Sequence, residues 1–241
     1  MKNIIFIFCI FLISIYNCTS SQKVEDPTYV IAGNQENQLK GEVNKAIELV
    51  ENSNVYIKYR LKFKWNVYDR SSPFQYYCHN PAIFFQLPGV WNIDFFRIIP
   101  YEHESNGLAG WDSQSVDRYF GESQLSFGKI FNFGIHEKVG GYYGYTHREG
   151  ILTYRRVMGF FNTELFFQIK NKHGFIGHER IYIRGEWTKK CYWMEAGTSF
   201  RIITASFSPN IYIQYYRGYG EFINRYWEKT KALRAGLIFY N

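Results

Sequence analysis

Val55, Ile57, Tyr59, Leu61, Phe63, Trp65 and Val67 alternate with Tyr56, Lys58, Arg60, Lys62, Lys64, Asn66 and Tyr68. A period of two sustained this far marks a strand with two unlike faces, because successive side chains of a strand point to opposite sides. One face is apolar or aromatic throughout, and the other is mostly cationic. Unpaired cations do not enter a dry core, so the cationic face meets water. A small soluble β domain does this by turning the cations outward. A transmembrane barrel does it by turning them into a wet lumen and giving the apolar face to lipid.

The spacing of turn signals separates the two. Short turns are expected at Ser53-Asn54, Pro88-Gly89, Gly128-Lys129, Asn171 to Gly174 and Ser208-Pro209-Asn210. Longer loops are expected at Arg70 to Asn80, Asn106 to Gln114, Tyr145 to Leu152 and Gly218 to Lys229. Short and long connections alternate along the chain, as in outer-membrane barrels. Strands are expected over Thr28 to Asn37, Val55 to Asp69, Val90 to His103, Ser115 to Phe127, Ile130 to Tyr143 and Tyr154 to Ile169. Further strands are expected over Phe175 to Trp187, Tyr192 to Phe207, Ile211 to Arg217 and Lys231 to Tyr240. Val43 to Glu51 reads as a strand too, although Ala46, Ile47 and Val50 also fit a short helix. Counted by turns, the chain makes about twelve strands, an even number as single-chain bacterial barrels require. The expected fold is all-β: a single transmembrane antiparallel β-barrel with short periplasmic turns and longer external loops, and no linker, repeat or second domain.

Composition agrees. Aromatic residues make up 20% of the 241 residues, with 21 Tyr and 22 Phe. That favours strands and suits the aromatic girdles of a membrane barrel. A mean hydropathy of -0.32 argues against a helical membrane protein. No stretch beyond the leader reaches the roughly 18 apolar residues that a spanning helix needs.

Lys2 followed by the apolar run Ile4 to Tyr16 reads as a secretory signal, too short to span a bilayer as a helix. Residues 1–20 are the expected signal peptide and residues 21–241 the barrel domain. Cys18 stands where a lipid-attachment cysteine would, but Tyr16-Asn17 before it makes a poor lipobox. Asn17-Cys18-Thr19-Ser20-Ser21 otherwise reads as an ordinary cleavage region. Cys78 and Cys191 fall on roughly opposite sides of the barrel by strand count, too far apart for a disulfide. A formal charge of +7 would permit nucleic-acid binding. The cations alternate along strands, however, so a lumen or anionic lipid headgroups account for them, and no nucleic-acid partner is expected.

Chemistry concentrates in Tyr101-Glu102-His103-Glu104-Ser105-Asn106-Gly107, followed by Ser113-Gln114-Ser115-Val116-Asp117-Arg118. His103 and Ser105 are two apart, so an extended strand puts them on one face. A serine hydroxyl becomes a nucleophile when an imidazole takes its proton. The imidazole needs a third group to hold its tautomer, and Asp117 is placed to supply it from a return strand. Asn106-Gly107 is a turn signal, which leaves free backbone N–H groups beyond Ser105 for an oxyanion. By simple alternation Trp91, Ile93, Phe95, Arg97, Ile99, Tyr101, His103 and Ser105 share one face, apolar except for Arg97. In a barrel that face meets lipid, and the pair sits just under the external loops. A base and a nucleophile there suit a lipid substrate, whereas the same pair facing the lumen would suggest a porin-like constriction.

These residues resemble the active site of the outer-membrane phospholipase A family. There His-x-Ser-Asn-Gly ends one barrel strand, and Ser-x-Ser-x-Asn-Arg opens the next at the same distance. The resemblance extends to Ser71-Ser72-Pro73-Phe74 and to Tyr216-Arg217-Gly218-Tyr219-Gly220-Glu221, and covers nearly the whole chain after the leader. It implies that Ser105 is the nucleophile, His103 the general base, Asp117 its orienting partner and the Gly107 N–H part of the oxyanion hole. It also implies a calcium ion, Ca2+, that assists the hole. Ser113 and a backbone carbonyl near Leu108 would be ligands, and Ser71 would complete the site from the other subunit of a homodimer. By the same resemblance the enzyme activates on dimerising, with acyl chains lying between protomers.

The sequence also departs from the family. Asp117 replaces an asparagine, and Asp112 beside Ser113 would add charge to the calcium site. Gln75-Tyr76-Tyr77-Cys78-His79 breaks the polar pattern after Ser-Pro-Phe. Val55 to Asp69 lacks the glutamine that is buried in the family dimer, and Asn241 displaces the usual terminal aromatic by one. His79, His136, His147, His173 and His178 have no partner that the sequence names, although His178-Glu179-Arg180 reads as a lumen ion-pair network.

The expected function is calcium-dependent hydrolysis of the acyl esters of phospholipids, and of lysophospholipids, at the outer leaflet of a bacterial outer membrane. The alternative is a non-enzymatic barrel, a pore or adhesin, in which Ser105 has no role. A soluble lipid-binding barrel of lipocalin type would put the apolar stripe inside, and the alternation of short and long turns speaks against it.

Overall fold

The structure, a computed structural model, describes residues 26–33, 39–66, 74–88, 93–108, 113–128, 131–146, 161–169, 179–187, 192–201, 209–219, 221 and 228–240. Among them are twelve strands: β1 (Thr28–Gly33), β2 (Leu39–Glu48), β3 (Val55–Trp65), β4 (Phe74–Pro88), β5 (Ile93–Ser105), β6 (Ser115–Phe127), β7 (Phe131–Thr146), β8 (Phe161–Ile169), β9 (Glu179–Trp187), β10 (Tyr192–Arg201), β11 (Asn210–Gly218) and β12 (Thr230–Phe239). Each pairs antiparallel with the next, and β12 pairs with β1, so the sheet closes on itself. Closure satisfies every strand edge, which is what a sheet needs in lipid.

The alternation of β3 is realised as the sequence suggests. Ile57 and Tyr59 are exposed on the outer wall, and Tyr56 is buried inside against Phe84 with ring centroids 4.8 Å apart. Lys58, Arg60 and Lys62 turn into the lumen and pair with Asp26, Glu102 and Glu104. The lumen is filled by such pairs, among them Arg97–Glu122 at 2.9 Å, Arg184–Glu195 at 2.7 Å and Arg234–Glu221 at 2.6 Å. Buried charges persist only when paired in this way. A cavity of about 20 Å³ among Lys58, Arg60, Arg97, Glu102, Glu122 and Lys138 has room for about one water.

The outer wall is the opposite. Ile83, Phe85, Ile98, Leu165, Phe167, Ile181 and Ile183 are exposed there. At the long-loop end Tyr101 and Tyr119 both pack on Tyr143, at 6.5 and 4.8 Å, as part of an aromatic belt.

The strand reading of the second segment holds: Ala46 and Ile47 lie in β2, where they pair with Lys58 and Ile57 of β3. Two expectations are corrected. The expected loop Arg70 to Asn80 is overrun by β4, which begins at Phe74 and pairs with β3 from Trp65↔Phe74 onward. The second correction concerns β5, whose two halves do not share one alternation. Phe95, Arg97 and Ile99 are buried in the lumen, while Phe96 and Ile98 are exposed. The register with β6 shifts between Ile99 and Glu102. Beyond the shift Tyr101 is exposed and Glu102 and Glu104 are buried. A bulge adds one residue, so parity reverses and the expected continuous apolar face from Ile93 to Ser105 does not exist. Pro100 sits in the shift, where it has no N–H to give a ladder. Its carbonyl accepts a hydrogen bond from Tyr143 Oη at 3.0 Å.

Candidate active site

Reversed parity delivers His103 and Ser105 to the outer wall. β5 and β6 run antiparallel with His103 opposite Asp117 and Ser105 opposite Ser115. His103 Nδ1 and Asp117 Oδ1 are 2.7 Å apart, and the two side chains are 31% and 32% exposed. An Nδ1–H that donates to the carboxylate leaves Nε2 free to accept a proton. Tyr101 Oη donates to the same Asp117 Oδ1 at 2.8 Å. Ser105 Oγ has no hydrogen-bond partner among the described residues. Contacts between a nucleophile and its base commonly close only when substrate is seated.

The inward neighbours anchor this stretch. Glu102 pairs with Arg60 and Arg118, and Glu104 with Lys62 and Arg118. The backbone that carries His103 and Ser105 outward is therefore tied on its other side to three cations from β3 and β6.

Beyond Ser105 the chain turns on Asn106. Its N–H donates to the Gln114 carbonyl at 3.1 Å, and its Oδ1 accepts from the Gln114 N–H at 3.0 Å and the Leu108 N–H at 3.3 Å. Asn106 thus pins the two ends of the expected loop Asn106 to Gln114 together. Gly107 has φ of 65°, in the left-handed region that a side chain disfavours. Its N–H has no partner among the described residues, so an oxyanion next to Ser105 can take it. Ser113 is half-buried two residues before β6 begins, and Leu108 is exposed. Ser71 and Asp112 lie outside the described residues. No group of three or more His, Cys, Asp or Glu side chains placed to hold a metal occurs among the described residues. The donors on offer, a hydroxyl and a main-chain carbonyl, are hard oxygens of the kind that calcium takes and zinc does not favour.

Residues 15–239 match the family model described as Phospholipase A1. The chain belongs to the phospholipase A1 family. It is a phospholipase, an enzyme that hydrolyses phospholipids. A search of curated proteins finds no match. Among solved structures the phospholipase superposes on outer membrane phospholipase A from Escherichia coli with a TM-score of 0.73 at 18% identity, covering 93% of this chain and 95% of that one. It superposes on the outer membrane phospholipase of Salmonella typhi, solved as a dimer with bound calcium, with a TM-score of 0.71 at 18% identity, covering 94% and 93%. At that identity the two speak for the twelve-stranded fold.

Two residues beside the candidate site are not legible in the sequence. Alternation places Tyr101 only on a face, whereas its hydroxyl reaches Asp117. The sequence names no partner for His79, which lies directly opposite Ser105 on β4 with Nδ1 hydrogen-bonded to Tyr59 Oη. A strand histidine opposite a serine is visible only once the β4–β5 register is known. Cys78 beside it is free and buried, with Sγ 3.3 Å from Glu104 Oε1, and Cys191 lies outside the described residues.

Proposed function

We propose that this phospholipase cleaves the acyl ester bonds of membrane phospholipids, and of lysophospholipids, at a serine–histidine–aspartate site on the lipid-facing wall of an outer-membrane barrel. The observation that carries the reading is the 2.7 Å contact of His103 Nδ1 with Asp117 Oδ1, on the same outward face as Ser105. Ser105 Oγ attacks the ester carbonyl while His103 Nε2 takes its proton. Asp117 keeps the ring's other proton on Nδ1 and stabilises the imidazolium. The Gly107 N–H donates to the developing oxyanion. The imidazolium then protonates the leaving alcohol. Water, deprotonated by His103, attacks the acyl-serine and releases the fatty acid.

Ser113 and the Leu108 carbonyl would hold calcium, with Asp112 adding charge and Ser71 reaching in from the second subunit of a homodimer. Bound there, the ion supplies positive charge to the carbonyl oxygen. The segment of residues 1–20 serves as the export signal, and the site faces the outer leaflet. The filled lumen speaks against the pore alternative.

The test is fatty acid release from mixed micelles by refolded protein, with calcium or with chelator, for the wild type and Ser105→Ala. Release that requires both calcium and Ser105 is expected. Wild-type-like release by Ser105→Ala overturns the site, and indifference to chelator overturns the metal.

A further inference from the structure

Ser105 lies between two strands, and only one of them has entered the mechanism. Across β4 its partner is His79. Directly opposed residues of an antiparallel pair share a face, with Cβ atoms about 4.5–5.5 Å apart. His79 therefore stands on the outer wall next to the nucleophile, and it is held there on two sides. Tyr59 Oη is hydrogen-bonded to His79 Nδ1, with ring centroids 6.0 Å apart. Tyr77 packs edge-on at 5.7 Å and 74°.

The orientation of the ring follows from register. On β3 the residue paired with His79 is Leu61, and Tyr59 lies two residues nearer the Ser53-Asn54 turn. Tyr59 thus holds the ring from the short-turn side. Nε2, at the other edge, is directed toward the long-loop end, where the main chain of Gly107 passes. A Cβ built on Gly107 would lie 3.5 Å from His79 Cδ2, 3.7 Å from His79 Nε2 and 3.1 Å from Tyr77 Cε2, so the Cδ2–Nε2 edge of the ring faces it. A phenol that donates to Nδ1 fixes the neutral tautomer with its proton on Nε2, and in the imidazolium both nitrogens carry protons. With the phenol as donor, the ring in either charge state presents its Nε2–H on the edge that faces Ser105 and Gly107. The neighbouring cations do not compete for that space, because Arg60, Lys62 and Arg118 turn inward to Glu102 and Glu104.

A phospholipid seated at Ser105 must lay its acyl chain along the apolar wall toward the short-turn end, past the exposed Ile83, Phe85 and Ile98. Its glycerophosphate then extends the other way, toward the loops. We propose that His79 is a substrate-binding residue whose Nε2–H donates to the phosphate of the phospholipid, with Tyr59 as its positioning residue. The assignment rests on Ser105 being the nucleophile. It gives the site a preference for phosphate-bearing esters over neutral ones, set by a residue that does not touch the reacting carbonyl.

The experiment compares phosphatidylcholine with a phosphate-free ester, p-nitrophenyl palmitate, in the same neutral-detergent micelles at saturating calcium. His79→Ala should lower kcat/KM on phosphatidylcholine by about tenfold to a hundredfold, as loss of a hydrogen bond to a charged group does, mainly through KM. The neutral ester should change by less than about twofold, well below that. His79→Gln, which keeps an N–H donor, should recover part of the loss, and Tyr59→Phe should fall between. Inhibition of the neutral-ester reaction by an alkylphosphocholine should weaken in His79→Ala by the same factor as KM rises. Effects through folding, calcium or assembly fall on both substrates, so an equal loss on the two, or no loss on phosphatidylcholine, overturns the proposal. The heat-dependent gel shift checks that each variant folds. Activity in Ser105→Ala would instead sink the underlying site, a separate result.

Discussion

Two histidines flank Ser105, and the sheet holds them differently. His103 shares the serine's strand and is held from β6 by a carboxylate, Asp117, at 2.7 Å. His79 comes from the strand on the other side and is held from β3 by a phenol, Tyr59. A carboxylate stabilises the imidazolium that a general base becomes in mid-reaction. A phenol carries no charge, so it fixes which nitrogen holds the proton without favouring the cation as strongly. In the proposed roles, a carboxylate from β6 suits one ring to accept a proton, and a phenol from β3, three strands away, suits the other to donate a hydrogen bond. Beneath both flanks the lumen is common ground: Glu102 and Glu104 take Arg60 and Lys62 from β3 and Arg118 from β6.

Removing the group between the histidines has the largest effect. Ser105→Ala should lower kcat by on the order of 10⁴-fold or more, as loss of a nucleophile does, with the gel shift of the folded barrel unchanged. Next comes the metal. Chelation should cost about 10²–10³-fold, the scale of a lost oxyanion donor. Ser113→Ala should raise the calcium concentration that gives half-maximal activity and weaken cross-linked dimers. Asp117 follows. Asp117→Ala should cost about a hundredfold, the lower end of what a positioned general base contributes, because nothing then fixes the ring. Asp117→Asn should keep substantial activity, since an amide oxygen still accepts from Nδ1–H. Wild-type-like rates in Asp117→Ala would show that Asp117 is not the partner of His103.

What the sequence shows and what it hides follow from range. The alternation of Val55 to Trp65 is a local signal, and a strand with cations on one face has few ways to fold. Ser115–Phe127 and the loop Asn106 to Gln114 are bounded by local turn chemistry, so β5 ends and β6 begins where the sequence places them. The pairing of His103 with Asp117 follows once that loop joins two adjacent antiparallel strands. The bulge at Ile99–Glu102 leaves no local trace except Pro100, and extrapolating one alternation across it puts Phe95, Arg97 and Ile99 on the wrong face. The start of β4 at Phe74 is hidden because Gln75 to His79 is mixed in character, and pairing with β3 decides it. His79 is hidden for the same reason. Its two neighbours, Tyr59 and Ser105, lie 20 and 26 residues away in the chain and meet it only through register.

Tyr101→Phe is the smallest of the expected changes and the most discriminating. Tyr101 Oη and His103 Nδ1 share one acceptor, Asp117 Oδ1, at 2.8 and 2.7 Å. The phenol is exposed, so its hydrogen bond contributes less than a buried one to the carboxylate would, and its loss should reduce kcat/KM by about threefold to tenfold. The sharper readout is whether the losses add. The phenol reaches the imidazole only through the carboxylate oxygen that both donors share, so once Asp117 is removed it has nothing left to orient. In an Asp117→Ala background Tyr101→Phe should therefore change kcat/KM by less than about twofold. Rates of the wild type, the two single variants and the double variant at saturating calcium decide it. A loss that adds in full would mean that Tyr101 acts on the site through packing against Tyr143 and not through Asp117.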